Sequence, residues 1–477
     1  MHVADAQPDP PPAAPQTTPS PGAASARLRV TGGRPLAGDP PLVGDKSLSH
    51  RVLVLGALAD GPTRIANLSP CHDVQRTRAA VDALGARVRD VGDDRDTGDR
   101  VGGGDVGDGR IVIVGRGPAG LDGPQIAIDC GDSGTTMRLL AGLLAGQRRA
   151  FTLRAASGLG RRPMGRVIAP LAAMGARIES EGGHAPLRGQ GGGLRGADLT
   201  LDIASAQVGS AILLAALNAV GTTRVRYPSP VRDHTERMLR GMGAPIDFDE
   251  RQSVLSGPIA RLQPPGGGDY VVPEDPSAAA FVLAAAAIVP GSSVRLRGVG
   301  LNPGRTGFLD ALRAMGADVR IDAVHERHGE PVGDVSLRQR ALHGTTVGGA
   351  LVPRAIDELP LLAVVATQAA GTTVIRDAAE LRVKESDRLA TIAAGLRRLG
   401  ADIVERPDGL TITGPTPLFG AAVDGADDHR IVMALAVAGL AAAGTTHVSD
   451  AWRVGDSYPR FVEALVGMGA DAAVEGE

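Results

Sequence analysis

Of the 50 basic residues in this 477-residue chain, only Lys46 and Lys384 are lysines, and the other 48 are arginines. An ammonium is a compact, strongly hydrated charge whose pKa shifts readily, and a guanidinium is not. A chain that writes arginine almost everywhere and keeps lysine at two positions points to chemistry there. Lys384 stands in the stretch Leu381-Arg382-Val383-Lys384-Glu385-Ser386-Asp387-Arg388. Lys384 and Arg388 are four residues apart, so at a helix start they share a face with Glu385 beside them. An acid or base flanked by two cations suits proton transfer on a small anionic substrate. A solvated i,i+4 charge pattern is the commoner meaning of such spacing, and the scarcity of lysine weighs against it here.

The elements that must position these residues repeat along the chain. A Leu or Met followed by Gly-Ala occurs at Leu84-Gly85-Ala86, Met174-Gly175-Ala176, Met242-Gly243-Ala244, Met315-Gly316-Ala317, Leu399-Gly400-Ala401 and Met468-Gly469-Ala470. Upstream of each lie an apolar run of helical length, a turn and a β-branched stretch, as at Gly221-Thr222-Thr223 and Gly371-Thr372-Thr373. The apolar runs open on Ser47, Ser133, Ser205, Ser277, Asp357 and Asp428, and from these to the phrase's glycine is 38, 42, 38, 39, 43 and 41 residues. That spacing marks one structural unit used six times, which divides into two domains of three. The opening helices are apolar on nearly all faces, so they belong inside with sheets outside. Ser and Asp at these openings are expected as N-caps, and the N-terminus of a buried helix attracts anions. Charged motifs gather at the same ends, so two domains facing each other through them would enclose a cleft for multiply charged anions.

Composition excludes other classes. With 43% apolar residues the chain can bury sizeable cores. A net charge of -3 and 2% aromatics offer neither the basic field nor the stacking platforms of a nucleic-acid binder. Apolar runs such as Ala278 to Val289 are short of the ~20 residues that span a bilayer. Cys71 and Cys130 have no CxxC or Cys/His ligand spacing, which predicts neither disulfide nor metal site and fits a reduced, cytoplasmic setting. Asp45 interrupts the Gly-Lys-Ser of a P-loop, and no dinucleotide-type glycine motif follows a strand. Residues 1–26, rich in Pro, Ala, Ser and Thr, are expected to be a disordered tail. The Gly/Asp/Arg-rich stretch 90–110 is expected to be an exposed loop insertion or hairpin tip, and 181–197 a Gly-rich turn.

Seven motifs, in order, resemble those of the 5-enolpyruvylshikimate-3-phosphate synthase family: Gly44-Asp45-Lys46-Ser47-Leu48-Ser49-His50-Arg51, Gly134-Thr135-Thr136-Met137-Arg138, Arg161-Arg162-Pro163-Met164-Gly165-Arg166, Ser205-Ala206-Gln207, Arg232-Asp233-His234-Thr235-Glu236-Arg237, Leu381 to Arg388 and Asp428-His429-Arg430. The resemblance runs from about residue 28 to the end. It implies an α/β fold of two inside-out domains, each of three βαβαββ units, with the active site in the cleft between them. It places residues 27–44 and 272–477 in one domain and 45–271 in the other. The implied reaction moves the enolpyruvyl group of phosphoenolpyruvate to the 5-hydroxyl of shikimate 3-phosphate, in chorismate and aromatic amino-acid biosynthesis. No metal or organic cofactor is implied, and the family pattern is a monomer. Carried over by motif, Lys46, Ser47, Arg51, Ser205, Gln207, Ser229, Arg232, Asp357 and Lys384 would hold shikimate 3-phosphate. Lys46, Gly134, Arg162, Gln207, Arg388 and Arg430 would hold phosphoenolpyruvate. The implied catalytic residues are Asp357, which accepts the hydroxyl proton, Glu385, which protonates the methylene carbon, and Lys46.

The chain departs from the family pattern at several positions: Val43 for Pro before Gly44, Asp132 for an Asn, Gly209 for a Lys of one subgroup, Gly304 for a Thr, and Asp456 where some members carry Lys. These changes bear on affinity more than on reaction type. A UDP-N-acetylglucosamine enolpyruvyl transferase is the alternative on the same fold, but no cysteine lies near Arg161 to Arg166. A catalytically silent anion-binding paralogue is the alternative from another class, against which stand Lys46, Asp357, Lys384 and Glu385. The open space expected at Gly134 predicts competition between glyphosate and phosphoenolpyruvate.

Overall fold

The computed structural model describes residues 26–91 and 110–476. The N-terminal tail and nearly all of the 90–110 insertion lie outside the described residues. The strands on either side of the insertion, Arg87–Asp90 and Ile111–Val114, pair antiparallel.

Among the described residues the strands form six four-stranded sheets, each with one parallel and two antiparallel pairings. Thr346–Val347 runs parallel to Gly371–Ile375, which pairs antiparallel with Gly409–Gly414 and through it with Asp402–Arg406. A parallel neighbour requires a crossover, supplied here by the helix Leu359–Ala366, and the helix Arg388–Arg398 precedes the closing hairpin. This is the βαβαββ unit expected from the repeats. Three units are completed by a strand from a distant part of the chain, one of them by Ala37–Gly38 running parallel to Ser293–Gly300. Arg27–Thr31 lies between Thr445–Val448 and Asp471–Glu475, and Asp269–Val271 forms the edge against Pro62–Ala66. The chain therefore crosses between its halves twice, and the crossing segments hold each other through Asp45 N–H to the Pro273 carbonyl and Asp275 N–H to the Val43 carbonyl, both 2.8 Å.

Two hydrophobic cores result. One draws on residues 26–43 and 278–472, the other on 48–272. Each surrounds three helices: Lys46–Ala57, Gly134–Gly146 and Ala206–Ala216 in one, Pro276–Ile288, Leu359–Ala366 and His429–Ala441 in the other. Every residue from Ser277 to Ile288 is buried, as an all-apolar helix requires. Helix backbones approach closely enough that a Cβ on Gly142 would fall 2.0 Å from the Ala211 carbonyl oxygen. The strands instead alternate buried and exposed residues, so the sheets form the outer layer.

The helix starts correct part of the sequence reading. Ser133, Ser205 and Asp428 are N-caps, accepting from Thr136, Val208 and Arg430 N–H. Ser47 and Ser277 are not: Asp45 and Asp275, two residues earlier, take the cap by accepting from Leu48 and Ser277 N–H at 2.7 Å. A carboxylate is the stronger acceptor toward a positive helix end, and it displaces the serine from the role. Before Leu359–Ala366, Glu358 holds the cap position without a side-chain bond, which leaves Asp357 free of it. Lys384 and Glu385 also stand outside regular helix, between the 3-10 turn Ala379–Val383 and the helix that begins at Arg388. The stretch 181–197 is more than a turn, since it contains the strand His184–Gln190.

Candidate active site

A cavity of about 440 Å³ lies where the helix N-termini of the two halves meet. Lys46, Ser47, Gly134, Arg162, Ser205, Gln207, Ser229 and Arg232 line it from one half, and Asp357, Lys384, Glu385, Arg388 and Arg430 from the other. Arg51 is not on this wall. It is buried behind Ser47, donating to the Ser47 carbonyl at 3.0 Å, Thr235 Oγ1 at 2.8 Å and Ser210 Oγ at 2.9 Å.

Glu385 and Asp357 meet through one guanidinium. Arg388 Nη2 donates to Glu385 Oε2 at 2.7 Å, Nε to Asp428 Oδ2 at 2.8 Å, and Nη1 lies 3.7 Å from Asp357 Oδ1. Each carboxylate also reaches across the cleft: Glu385 to Arg162 Nη1 at 2.8 Å, Asp357 to Arg232 Nη2 at 2.7 Å. Burial pushes both carboxyls up, but the cations win. Arg162 and Arg388 hold Glu385 well below the usual carboxylate range, and Arg232, Arg430 and Lys384 do the same for Asp357. Lys384 is lowered too, which for an amine disfavours the charged form: burial is the main cause, Arg388 and Arg162 add to it, and Asp357 only partly compensates. Lys46 pairs with Asp73 and donates to the Asp456 carbonyl at 2.8 Å; burial lowers its pKa, and Asp73 more than offsets this and leaves it raised.

The arrangement can therefore gather anionic groups and move protons beside them. Three functional candidates escaped the sequence reading: Arg138, Arg305 and Asp73. Arg138 lines the cavity and donates to Gln207 Oε1 at 2.5 Å. Burial with Arg162 and Arg166 alongside pushes its guanidinium down to about 9, a repulsion that a bound anion would relieve. Arg305 spans the two crossing segments, 3.0 Å from Asp45 and 3.1 Å from Asp275, and reaches Ser47 Oγ at 3.4 Å. As arginines among 48, neither carried a signal of its own, although Arg138 ends a motif and Arg305 adjoins Gly304. A Cβ on Gly134 would stand 2.9 Å from Arg162 Nη1 and 3.1 Å from Arg138 Nη1, so glycine there lets two guanidiniums close over the helix end. At Gly209 a Cβ would fall 2.1 Å from the Tyr227 hydroxyl, which explains why this position carries no side chain.

Fold and site together define an enzyme class: two inside-out α/β halves that hold small, multiply charged anions against a carboxylate pair. The comparisons with known proteins are specific. The family model for EPSP synthase (3-phosphoshikimate 1-carboxyvinyltransferase) matches residues 30–465, and the chain belongs to that family. A 3-phosphoshikimate 1-carboxyvinyltransferase of Gloeobacter violaceus is 50% identical over 440 residues, covering 91% of this chain and 97% of the relative. One from Geobacter sp. strain M21 is 46% identical over 434 residues, covering 90% and 96%. A solved structure of EPSP synthase from Acinetobacter baumannii aligns with a TM-score of 0.81 at 37% identity, covering 94% of this chain and 100% of that one.

Proposed function

We propose that this chain transfers the enolpyruvyl group of phosphoenolpyruvate to the 5-hydroxyl of shikimate 3-phosphate and releases phosphate. The observation that carries this reading, beside family membership, is the pair Asp357 and Glu385 held on Arg388 within a ring of cations. Addition to an enol phosphate needs a proton delivered to the methylene carbon while an oxygen attacks the adjacent carbon, so acid and base must face one double bond. Glu385 is the proton donor to carbon and Asp357 the acceptor of the hydroxyl proton. Loss of phosphate from the adduct, with return of one methyl proton, restores the double bond.

Both carboxyls are held too acidic for this task by their arginines. The substrates resolve the conflict: two phosphates and a carboxylate bring roughly four to five negative charges, which compete for Arg162, Arg232, Arg388 and Arg430. As those cations turn to substrate, Asp357 and Glu385 lose their counter-ions and their pKa values rise toward working pH. Lys46, Gly134, Arg162, Gln207, Arg388 and Arg430 hold phosphoenolpyruvate. Shikimate 3-phosphate takes Lys46, Ser47, Ser205, Gln207, Ser229, Arg232, Asp357 and Lys384, and Arg51 supports Ser47 from behind. Residues 27–44 with 272–477 and residues 45–271 act as the two closing domains of a cytoplasmic monomer, and glyphosate competes with phosphoenolpyruvate at Gly134. Among the described residues no helix is long and apolar enough to cross a membrane.

Phosphate release from phosphoenolpyruvate tests the reading directly, with shikimate 3-phosphate, with UDP-N-acetylglucosamine, and with neither. Release that depends on shikimate 3-phosphate is expected. Release with the nucleotide sugar instead, or none from protein that still binds an anion, overturns it.

A further inference from the structure

Asp132 and Asp456 place negative charge beside the region assigned to phosphoenolpyruvate, and the structure joins them through one residue. Arg453, 9% exposed, leaves the turn Ala451–Asp456 and lines a small cavity next to the main one, together with Asp132 and Asp456. Its Nη1 lies 3.3 Å from Asp132 Oδ2 and 3.2 Å from Asp456 Oδ2, while Nε and Nη2 each donate to Asp427 at 2.6 Å. All three nitrogens are engaged by carboxylates from three separate segments.

Each of the three acidic residues adjoins or contacts a segment that leads to a cation of the proposed phosphoenolpyruvate site. Asp132 accepts the Leu159 N–H at 2.9 Å and so holds the short helix Ser157–Gly160, which delivers Arg162 to the cleft. A Cβ on Gly158 would fall 2.7 Å from Asp132 Oδ1, so the carboxylate is seated directly on that turn. Asp427 has a left-handed backbone, φ 53°, as does Ala426 before it at φ 54°. Neither is glycine, so tertiary contacts must hold the conformation that sets up the cap Asp428 and Arg430. Asp456 offers its carbonyl to Lys46 Nζ at 2.8 Å.

We propose that Arg453 is a positioning residue for the transfer reaction: by binding Asp132, Asp427 and Asp456 together it sets the turn that leads to Arg162, the helix start that bears Arg430 and the carbonyl that receives Lys46 in the register that phosphoenolpyruvate requires. Asp132 is then a structural partner rather than a misplaced charge. It belongs to the half built on residues 48–272 and Arg453 to the other, so the pair also spans the cleft. Removing the guanidinium would leave three carboxylates facing one another, and their repulsion would spread the three segments. The inference rests on the assignment of Arg162 to phosphoenolpyruvate made above.

Steady-state kinetics with each substrate varied separately tests it, on R453M, R453K, D132N, the double variant R453M/D132N, and R162M as the reference. R453M is expected to raise the KM for phosphoenolpyruvate about tenfold while that for shikimate 3-phosphate moves less than twofold, with R453K between R453M and the parent. D132N is nearly isosteric and keeps an oxygen for Leu159, so it reports even if R453M fails to fold. It is expected to raise the phosphoenolpyruvate KM about threefold, and to add nothing in the R453M background. A phosphoenolpyruvate KM that falls in D132N would make Asp132 a simple repulsive charge and overturn the proposal. So would equal increases for both substrates in R453M, or additive effects in the double variant. If R162M leaves the phosphoenolpyruvate KM unmoved, the site assignment fails and the proposal with it. If R162M raises that KM while R453M and D132N do not, only the positioning role is lost.

Discussion

The two walls of the cleft are built from the same unit and do different work. The wall from residues 45–271 presents cations and neutral donors: Lys46, Arg138, Arg162, Arg232, Ser205 and Gln207, with Asp73 its one carboxylate on the cavity among the described residues. Two of its three opening helices are capped by serine, which satisfies the first turn and leaves the positive helix end available to an anion. The opposite wall brings the acids Asp275, Asp357, Asp377, Glu380 and Glu385, each near an arginine. Its helices open on Asp275, Glu358 and Asp428, so their dipoles are largely met by the protein's own carboxylates. On the function proposed above, the first wall serves mainly to collect charge, while the second adds the carboxylates that handle protons to anion-binding cations of its own. What stands at the helix start differs between the two.

That division predicts how variants separate. The largest effects belong to the proton-handling wall. Glu385→Gln and Asp357→Asn should each lower kcat by about 10²- to 10⁴-fold, the usual range for a lost general acid or base, and Lys384→Met, which removes the cation beside Asp357, should abolish turnover as well. Their melting temperatures should stay within a few degrees of the parent. A Lys384→Met protein with full turnover would remove that residue from the mechanism. Next comes the anion-collecting wall, where Arg162→Met should act mainly on the KM for phosphoenolpyruvate, by about tenfold or more, with a smaller loss in kcat. If Arg162→Met and Glu385→Gln gave the same split between KM and kcat, the two walls would not be functionally distinct.

A smaller effect tests the coupling between the walls. Asp357 and Glu385 are held well below their ordinary values by arginines that substrate would recruit, so forming the ternary complex should raise both and take up protons. Calorimetric titration in two buffers of different ionisation enthalpy measures the uptake, which should approach about one proton near pH 6. Zero uptake across pH 5 to 8 would mean that the carboxylates keep their counter-ions when substrates bind.

The fold was legible because its unit recurs: six Leu/Met-Gly-Ala phrases at near-constant distance define the repeat, and all-apolar runs between them can only be internal. Lys384 and Glu385 were legible because lysine is rare here. The helix caps at Asp45 and Asp275 were not, since Asp-x-Ser offers two acceptors two residues apart and only backbone geometry decides between them. Arg138, Arg305 and Arg453 were hidden for a different reason. Each acts by gathering segments far apart in sequence, and nothing local distinguishes such an arginine from the dozens that line sheet surfaces. Asp132 stands out in the sequence as an extra charge, while its partner, 321 residues away, is brought to it only by the fold.

The smallest expected difference between the walls is in acid. Asp357, Glu385 and Asp428 all sit below their ordinary carboxylate values in the fold. A depressed carboxylate contributes stability that is complete above its unfolded pKa, near 4, and is lost as pH falls toward the folded value. His429, pushed down to about 3 by burial and Lys46, adds a loss that begins earlier, as pH drops below about 6.5, because the unfolded chain takes the proton and the folded one does not. In the other half, His50 behaves like His429, being buried and lowered, so the histidines roughly balance. The buried carboxylates do not, because burial raises Asp73 and Glu236 there, with Asp233 lowered, whereas in the half bearing Asp357 Glu274 is raised, to about 7, against several that are lowered. A raised carboxylate costs stability above its unfolded pKa, and that cost is relieved on acidification. The half bearing Asp357 should therefore loosen first. Hydrogen exchange at pH 4, corrected for intrinsic rates and compared with pH 7, should show protection falling severalfold more in Leu359–Ala366 and His429–Ala441 than in Gly134–Gly146 and Ala206–Ala216. Uniform loss across all four helices would show that the halves unfold as one unit and that their opposite electrostatics are confined to the cleft.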